Sequence, residues 1–164
     1  MKKLAIAMVL AGSAINAAHA GISGTLQRVE ETLTISEECP VELTVNSIGS
    51  MALVEVADQV KIADLAIKSK CDGQKLWIGY GEVDSSEKGL MRNGEHIANL
   101  RLNRNGVELD WKTFDGTWGY ATKTGLNANE ALTLGLELTQ YGTGGLPKVG
   151  GEWTYAIVGG IWTD

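Results

Sequence analysis

If this chain performed chemistry, few residues could carry it. Nucleophilic catalysis needs a base within hydrogen-bond reach of the nucleophile, and histidine is the usual one. Beyond the first twenty residues the sole histidine is His96, between Glu95 and Ile97 just after a turn signal. No nucleophile-elbow pattern lies near it, and it reads as a solvated loop residue. The pairs Glu82 with Asp84 and Glu30 with Glu31 have the residue types of glycoside hydrolysis. With 20 acidic residues in 164, however, such pairs arise by chance. One histidine and two cysteines are too few for a zinc site. The glycine-rich stretches also lack the spacing of a phosphate loop, a dinucleotide fingerprint or a calcium loop. The expectation is a protein that is not an enzyme, with no metal and no cofactor.

The aromatic residues are the remaining candidates, because Trp and Tyr carry binding energy at interfaces and stack on sugars. Trp111, Trp153 and Tyr155 sit on alternating positions, which predicts burial. Trp118 and Tyr120, just after Asp115-Gly116, are the expected exposed pair and the candidates for touching a receptor.

The elements that must position these residues are strands. Leu132, Leu134, Leu136 and Leu138 share one face of a period-two pattern, with Thr133, Gly135, Glu137 and Thr139 on the other. The segments Leu33 to Ser36, Val41 to Val45, Val107 to Trp111 and Trp153 to Ile157 alternate in the same way. Between them Cys71-Asp72-Gly73, Arg92-Asn93-Gly94, Arg104-Asn105-Gly106, Phe114-Asp115-Gly116 and Tyr141 to Gly145 supply the positive φ that tight turns require. An all-β antiparallel sandwich follows. Val54 to Lys70 is compatible with a short helix or a bent strand, and strand is the expectation. There is no internal repeat or low-complexity tract, so one domain is predicted.

Met1-Lys2-Lys3, the apolar run Leu4 to Gly12 and Ala18-His19-Ala20 before Gly21 have the layout of a secretory signal peptide. Residues 1–20 are expected to be removed after Ala20, the run being too short to span about 30 Å of bilayer. In an exported chain Cys39 and Cys71 are expected to form a disulfide. The formal net charge is −6, and −8 once Lys2 and Lys3 leave, which makes nucleic acid and anionic lipid poor partners. Residues 21–31 have apolar positions spaced for a strand yet sit beside glycines at the new terminus, where an arm frays unless something pairs with it.

The run from Gly21 through Thr32-Leu33-Thr34-Ile35-Ser36-Glu37-Glu38-Cys39 resembles the Dr/Afa adhesins of Escherichia coli. Their mature chains open with a Gly/Thr-rich arm that leads into a similar Leu-Thr-Val-Thr-Glu-Glu-Cys. The Cys39 to Cys71 spacing, the Asp115-Gly116-Thr117-Trp118-Gly119 turn and the ending Trp153 to Trp162 with Gly159-Gly160 are also similar to that family. The resemblance covers both ends and the cysteine pair, but little between Trp77 and Arg104.

What it implies is an immunoglobulin-like sandwich lacking its last strand, completed by donor-strand complementation: residues 32–164 form the domain and residues 21–31 fill the groove of a neighbouring copy. It further implies a periplasmic chaperone, an outer-membrane usher, display as a fimbrium on the bacterial surface, and a head-to-tail polymer that is itself the adhesin. Ile22, Leu26 and Val29 are the expected donor residues, although Val29 falls out of step with the other two. Trp153, Tyr155, Ile157 and Trp162 are the expected acceptor-groove strand. The family's receptors include decay-accelerating factor and blood-group determinants. No receptor or contact residue is carried over, because the middle of the chain departs from the family. A non-adhesive structural pilin and a secreted sandwich-fold enzyme or inhibitor are the alternatives.

Overall fold

The computed structural model describes residues 11–15, 26–30 and 39–163. The chain divides into two units between Glu38 and Cys39. In the first unit β1 (Ala11–Ile15) pairs antiparallel with β2 (Leu26–Glu30), with Ile15 opposite Leu26 and Ala11 opposite Glu30. Ile22 and the alternating segment Leu33 to Ser36 lie outside the described residues.

The second unit is an immunoglobulin-like β-sandwich. Its strands are β3 (Val41–Ser47), β4 (Lys61–Ser69), β5 (Lys75–Tyr80), β6 (Gly89–Asn93), β7 (His96–Asn103), β8 (Leu109–Phe114), β9 (Thr117–Thr122), β10 (Ala131–Thr139), β11 (Thr154–Tyr155) and β12 (Ile157–Trp162). One sheet has the order β11-β6-β7-β10-β4-β3 and the other β12-β5-β9-β8, every pair antiparallel. No α-helix occurs among the described residues, and Leu53–Glu55 forms a single 3-10 turn.

The period-two pattern of β10 sends Leu132, Leu134, Leu136 and Leu138 into the core, where all four are buried. They meet Leu65 and Ile67 of β4, Leu76 and Ile78 of β5 and Leu100 of β7 in one apolar cluster. The opposite face of β10 is covered at its C-terminal end as well. There Glu137 is buried because Arg101 and Asn103 of neighbouring β7 donate to its carboxylate. A charge so placed is tolerable only when paired and hydrogen-bonded.

The turn signals act as turns. Asp115 (φ +48°) and Gly116 (φ +76°) close the β8–β9 hairpin, and both central residues lie in the left-handed region that a two-residue loop demands. Gly119 answers a different need: a Cβ there would collide with the carbonyl of Ile78 on adjacent β5.

Three expectations are corrected. Val54 to Lys70 is neither one helix nor one strand. A 3-10 turn comes first, Gln59 then bends the chain at φ +68°, and β4 starts at Lys61. The bend is held by Gln59 N–H donating to the Leu138 carbonyl and Leu138 N–H donating to that of Val60. Trp153 to Trp162 is likewise not one strand: β11 pairs with β6 in the larger sheet, and β12 pairs with β5 in the smaller. The chain changes sheet at Ala156, which stands between them, its carbonyl accepting from Gly81 N–H. Finally, Trp111 is 37 % exposed and not buried, because β8 is the free edge of its sheet and alternation cannot tell an edge strand from a central one.

Candidate functional site

Each sheet has one edge on the same flank of the sandwich, β3 for the larger and β12 for the smaller. Among the described residues neither pairs with the other, and each bonds on one side only, β3 to β4 and β12 to β5. They approach at Gly159, where an added Cβ would press on Ile67 and reach Leu43. Away from that point the inward residues are poorly covered. In β3 the residues facing the core are those paired with Ser69, Ile67 and Leu65, namely Val41, Leu43 and Val45. Leu65 and Ile67 are fully buried, whereas Val45 is 40 % exposed and Ile48, just past the strand, 49 %. Across the gap Ile157 and Ile161 of β12 are only half-buried against the core.

Past the end of β3, at Ser47 and Ile48, lies a cavity of about 290 Å³. Ile48, Met51, Ile62, Leu138, Trp153 and Tyr155 are among its lining residues. Among the described residues the flank therefore presents poorly covered apolar positions between two strands whose outer edges have no ladder partner. That combination invites an added strand.

Of the expected acceptor residues, Ile157 stands opposite Tyr80 and packs against the core beside this gap. Trp162 stands opposite Lys75 on the other face of β12, beside Trp77 and Phe114, because side chains alternate along a strand. Trp153 and Tyr155 line the cavity, Tyr155 from β11 at the edge of the larger sheet opposite β3. Of the expected donor residues Leu26 and Val29 lie in β2. The disulfide forms as expected, with Cys39 and Cys71 Cα atoms 5.4 Å apart, and it ties the entry of β3 to the exit of β4.

Trp118 and Tyr120 are half-buried and not the most open aromatics of their hairpin. Trp111 stacks on Trp118 (centroids 5.5 Å apart, planes 15° apart) and meets Tyr120 edge-on at 4.7 Å. Sequence reasoning missed Trp111 as a surface residue. The register that pairs it with Tyr120 across β8 and β9 could have flagged the cluster once the Asp115-Gly116 hairpin was assigned. His96 is exposed, and Glu82 is engaged by Arg92. Among the described residues no group of three His, Cys, Asp or Glu side chains is placed to hold a metal.

Known structures share this architecture. The Hda pilus minor tip subunit HdaB of E. coli aligns with a TM-score of 0.51 and 17 % identity, over 73 % of this chain and 79 % of its own. AggB, the minor subunit of aggregative adherence fimbriae type I from Escherichia coli, aligns with a TM-score of 0.51 and 16 % identity, over 72 % and 83 %. The fold is that of a pilus subunit. The sequence matches no family model and no curated protein. At such identities the likeness is one of fold.

At the other side of this pilus-subunit fold Asp84 pins two loops. Its carboxylate accepts from the amides of Ser86 (2.8 Å), Lys88 (3.0 Å) and Thr143 (2.7 Å), and from Asn99 Nδ2 (2.9 Å). Asn99 is itself buried and accepts through Oδ1 from the amides of Gly144 and Gly145. Burial alone would raise the Asp84 pKa; the amides of Thr143, Lys88 and Ser86 and the side chain of Asn99 outweigh it and hold the group below its ordinary 3.8. A carboxylate depressed by folding contributes stability above its unfolded pKa and loses it as pH falls through the folded value. Melting of the wild type is thus expected to drop on acidification below about pH 4. Asp84→Asn should melt lower at pH 7 but lose less between pH 5 and pH 3. Parallel pH profiles of the two proteins would remove Asp84 from this role.

Proposed function

We propose that the chain is a fimbrial or afimbrial adhesin subunit that polymerises by strand donation and attaches the bacterium to host cells. The observation that carries this reading is the flank between β3 and β12. There Val45 pairs opposite fully buried Leu65 and yet remains 40 % exposed, as a core position does when the strand meant to cover it is absent. The arm around β2 is the donor. In the first unit its ladder partner is β1, which lies in the leader expected to leave on export. Ile22, Leu26 and Val29 would enter the groove, and Ile157, Ile161, Trp153 and Tyr155 would receive them. The insertion is head-to-tail and does not close, so it builds a fibre.

Before assembly an open groove of this kind needs cover, which a periplasmic chaperone supplies by lending a strand; an outer-membrane usher then exchanges it for the next arm. Residues 32–164 form the body, and the surface away from the groove meets a host cell-surface glycoprotein. HdaB is described as a minor tip subunit. An arm that can donate favours a repeating position for the present chain, since a tip has no neighbour ahead of it to complement.

Val45→Arg separates polymer formation from folding. In the lone subunit the new charge reaches solvent, so melting should change little. Under an inserted strand the same charge would be buried without a partner, at a cost of several kcal/mol. Co-expressed with a chaperone and usher, the wild type should give a dissociation-resistant ladder on gels of surface extracts and Val45→Arg only monomer. An undiminished ladder would remove the groove from assembly. Attachment of host cells to displaying bacteria then separates an adhesin from a structural pilin.

A further inference from the structure

A second cleft, of about 550 Å³, opens where β7 runs out toward β8. Its walls include Tyr80, Lys88, Arg101, Arg104, Trp111 and Tyr120. Two of its charges are already answered: Arg101 pairs with Glu137 at 2.6 Å, and Glu108 on the rim pairs with Lys123 at 3.1 Å. Lys88 and Arg104 are not. Among the described residues neither has a carboxylate within ion-pair distance. In a chain of net charge −6, two unanswered cations in one cleft run against the general field of the surface.

Both cations are held in place by their backbones. The Lys88 amide is fixed on Asp84, and the Asp84 amide donates back to the Lys88 carbonyl at 2.9 Å. Arg104 precedes a turn in which Asn105 (φ +51°) and Gly106 (φ +81°) both occupy the left-handed region, closed by Val107 N–H donating to the Arg104 carbonyl. The Arg104 guanidinium lies 5.7 Å from the centroid of the Tyr120 ring. Beside it Trp111 is 37 % exposed but braced by Trp118 and Tyr120, so its ring offers a fixed flat surface.

We infer that this cleft binds a pyranose sugar that carries a carboxylate. A sugar ring presents one face of C–H groups that packs on an exposed indole, and its hydroxyls stay wet. A carboxylate on the same ring would be met by Lys88 and Arg104 through charge-assisted hydrogen bonds. A free carboxylate without the ring would use only the cations, and a neutral sugar only the aromatics. The cleft lies beside β8, the sheet edge opposite β12, so strand insertion between β3 and β12 leaves it open. Repetition along a fibre would multiply a weak single-site affinity. The inference rests on the adhesive reading and names the ligand class of that surface.

The test is titration of the purified protein, by tryptophan fluorescence and calorimetry, with 3′-sialyllactose, a disaccharide ending in glucuronic acid, lactose, and acetate. At least one acidic sugar should bind, with lactose and acetate weaker by about tenfold or more. The two acidic probes tell sialic from uronic acid. Arg104→Gln and Lys88→Gln should each weaken the acidic sugar by about tenfold; neither side chain has an ion pair among the described residues, so melting should fall by no more than the loss of the Arg104 contact with the Tyr120 ring accounts for. Trp111→Ala should weaken both sugar types. Binding of neither acid, lactose or acetate binding as tightly, or an Arg104→Gln protein that binds like the wild type would each overturn the inference. Cell attachment is read separately. Attachment that survives Arg104→Gln overturns the cleft and leaves the adhesin, whereas a wild type that never attaches overturns the adhesive reading itself.

Discussion

Moved through a short turn to follow Asp164, residues 21–37 should turn an unstable, chaperone-dependent subunit into a sole monomer that melts far higher. The arm would then fill its own groove. It would cover Val45 and Ile48, now 40 % and 49 % exposed, and the half-buried Ile157 and Ile161, while giving the outer edges of β3 and β12 a ladder partner. Tethering makes the insertion intramolecular, so no second copy is needed. Even a net gain of about 3 kcal/mol would move melting by roughly 10 °C in a domain of this size. Thermal melting with size from light scattering reads both halves of the expectation. If the unpermuted chain is already a stable monomer, and the move lowers its melting point, the arm belongs to its own domain and the fimbrial reading falls.

How far the sequence could reveal this site depends on which features are local. Alternation along Leu132 to Leu138 is a property of one strand, and the buried core follows it. Asp115-Gly116 and Asn105-Gly106 carry their turn geometry in their own φ angles, and they fall where expected. Edge status is not local. The pattern at Val41 to Val45 and at Val107 to Trp111 resembles that of any half-buried strand, yet β3 and β8 are both edges, and so Val45 and Trp111 are open where alternation predicts cover. The sheet switch at Ala156 was hidden for the same reason, because strand pairing with Gly81 and β5 on one side and β6 on the other is set by residues 62 to 87 positions away. The acidic composition likewise gave no hint of the cationic cleft, which exists only once Lys88 of one loop and Arg104 of another are brought together.

Removal of the disulfide by Cys39→Ala with Cys71→Ala should carry the largest cost of any change outside the core. The bond closes a loop across a separation of 32 residues, and freeing that loop in the unfolded chain costs about 3 to 4 kcal/mol. In this fold the loss is not spread evenly. Only Pro40 separates Cys39 from β3 and only Lys70 separates Cys71 from β4, so the bridge closes the end of their ladder where Val41 faces Ser69. Among the described residues β3 has no second neighbour to hold it, whereas β4 also pairs with β10. Melting should fall by roughly 10 °C, and amide exchange should quicken in Val41 to Ser47 well before it does in Ala131 to Thr139. Since β3 is one wall of the proposed acceptor groove, the double variant should also lose complementation by a synthetic peptide of residues 21–37 at temperatures where its core remains folded. Equal exchange in β3 and β10, with complementation intact, would mean that the bridge stabilises the chain without shaping the groove. The strand edge would then be set by the core residues Leu43 and Ile67 alone.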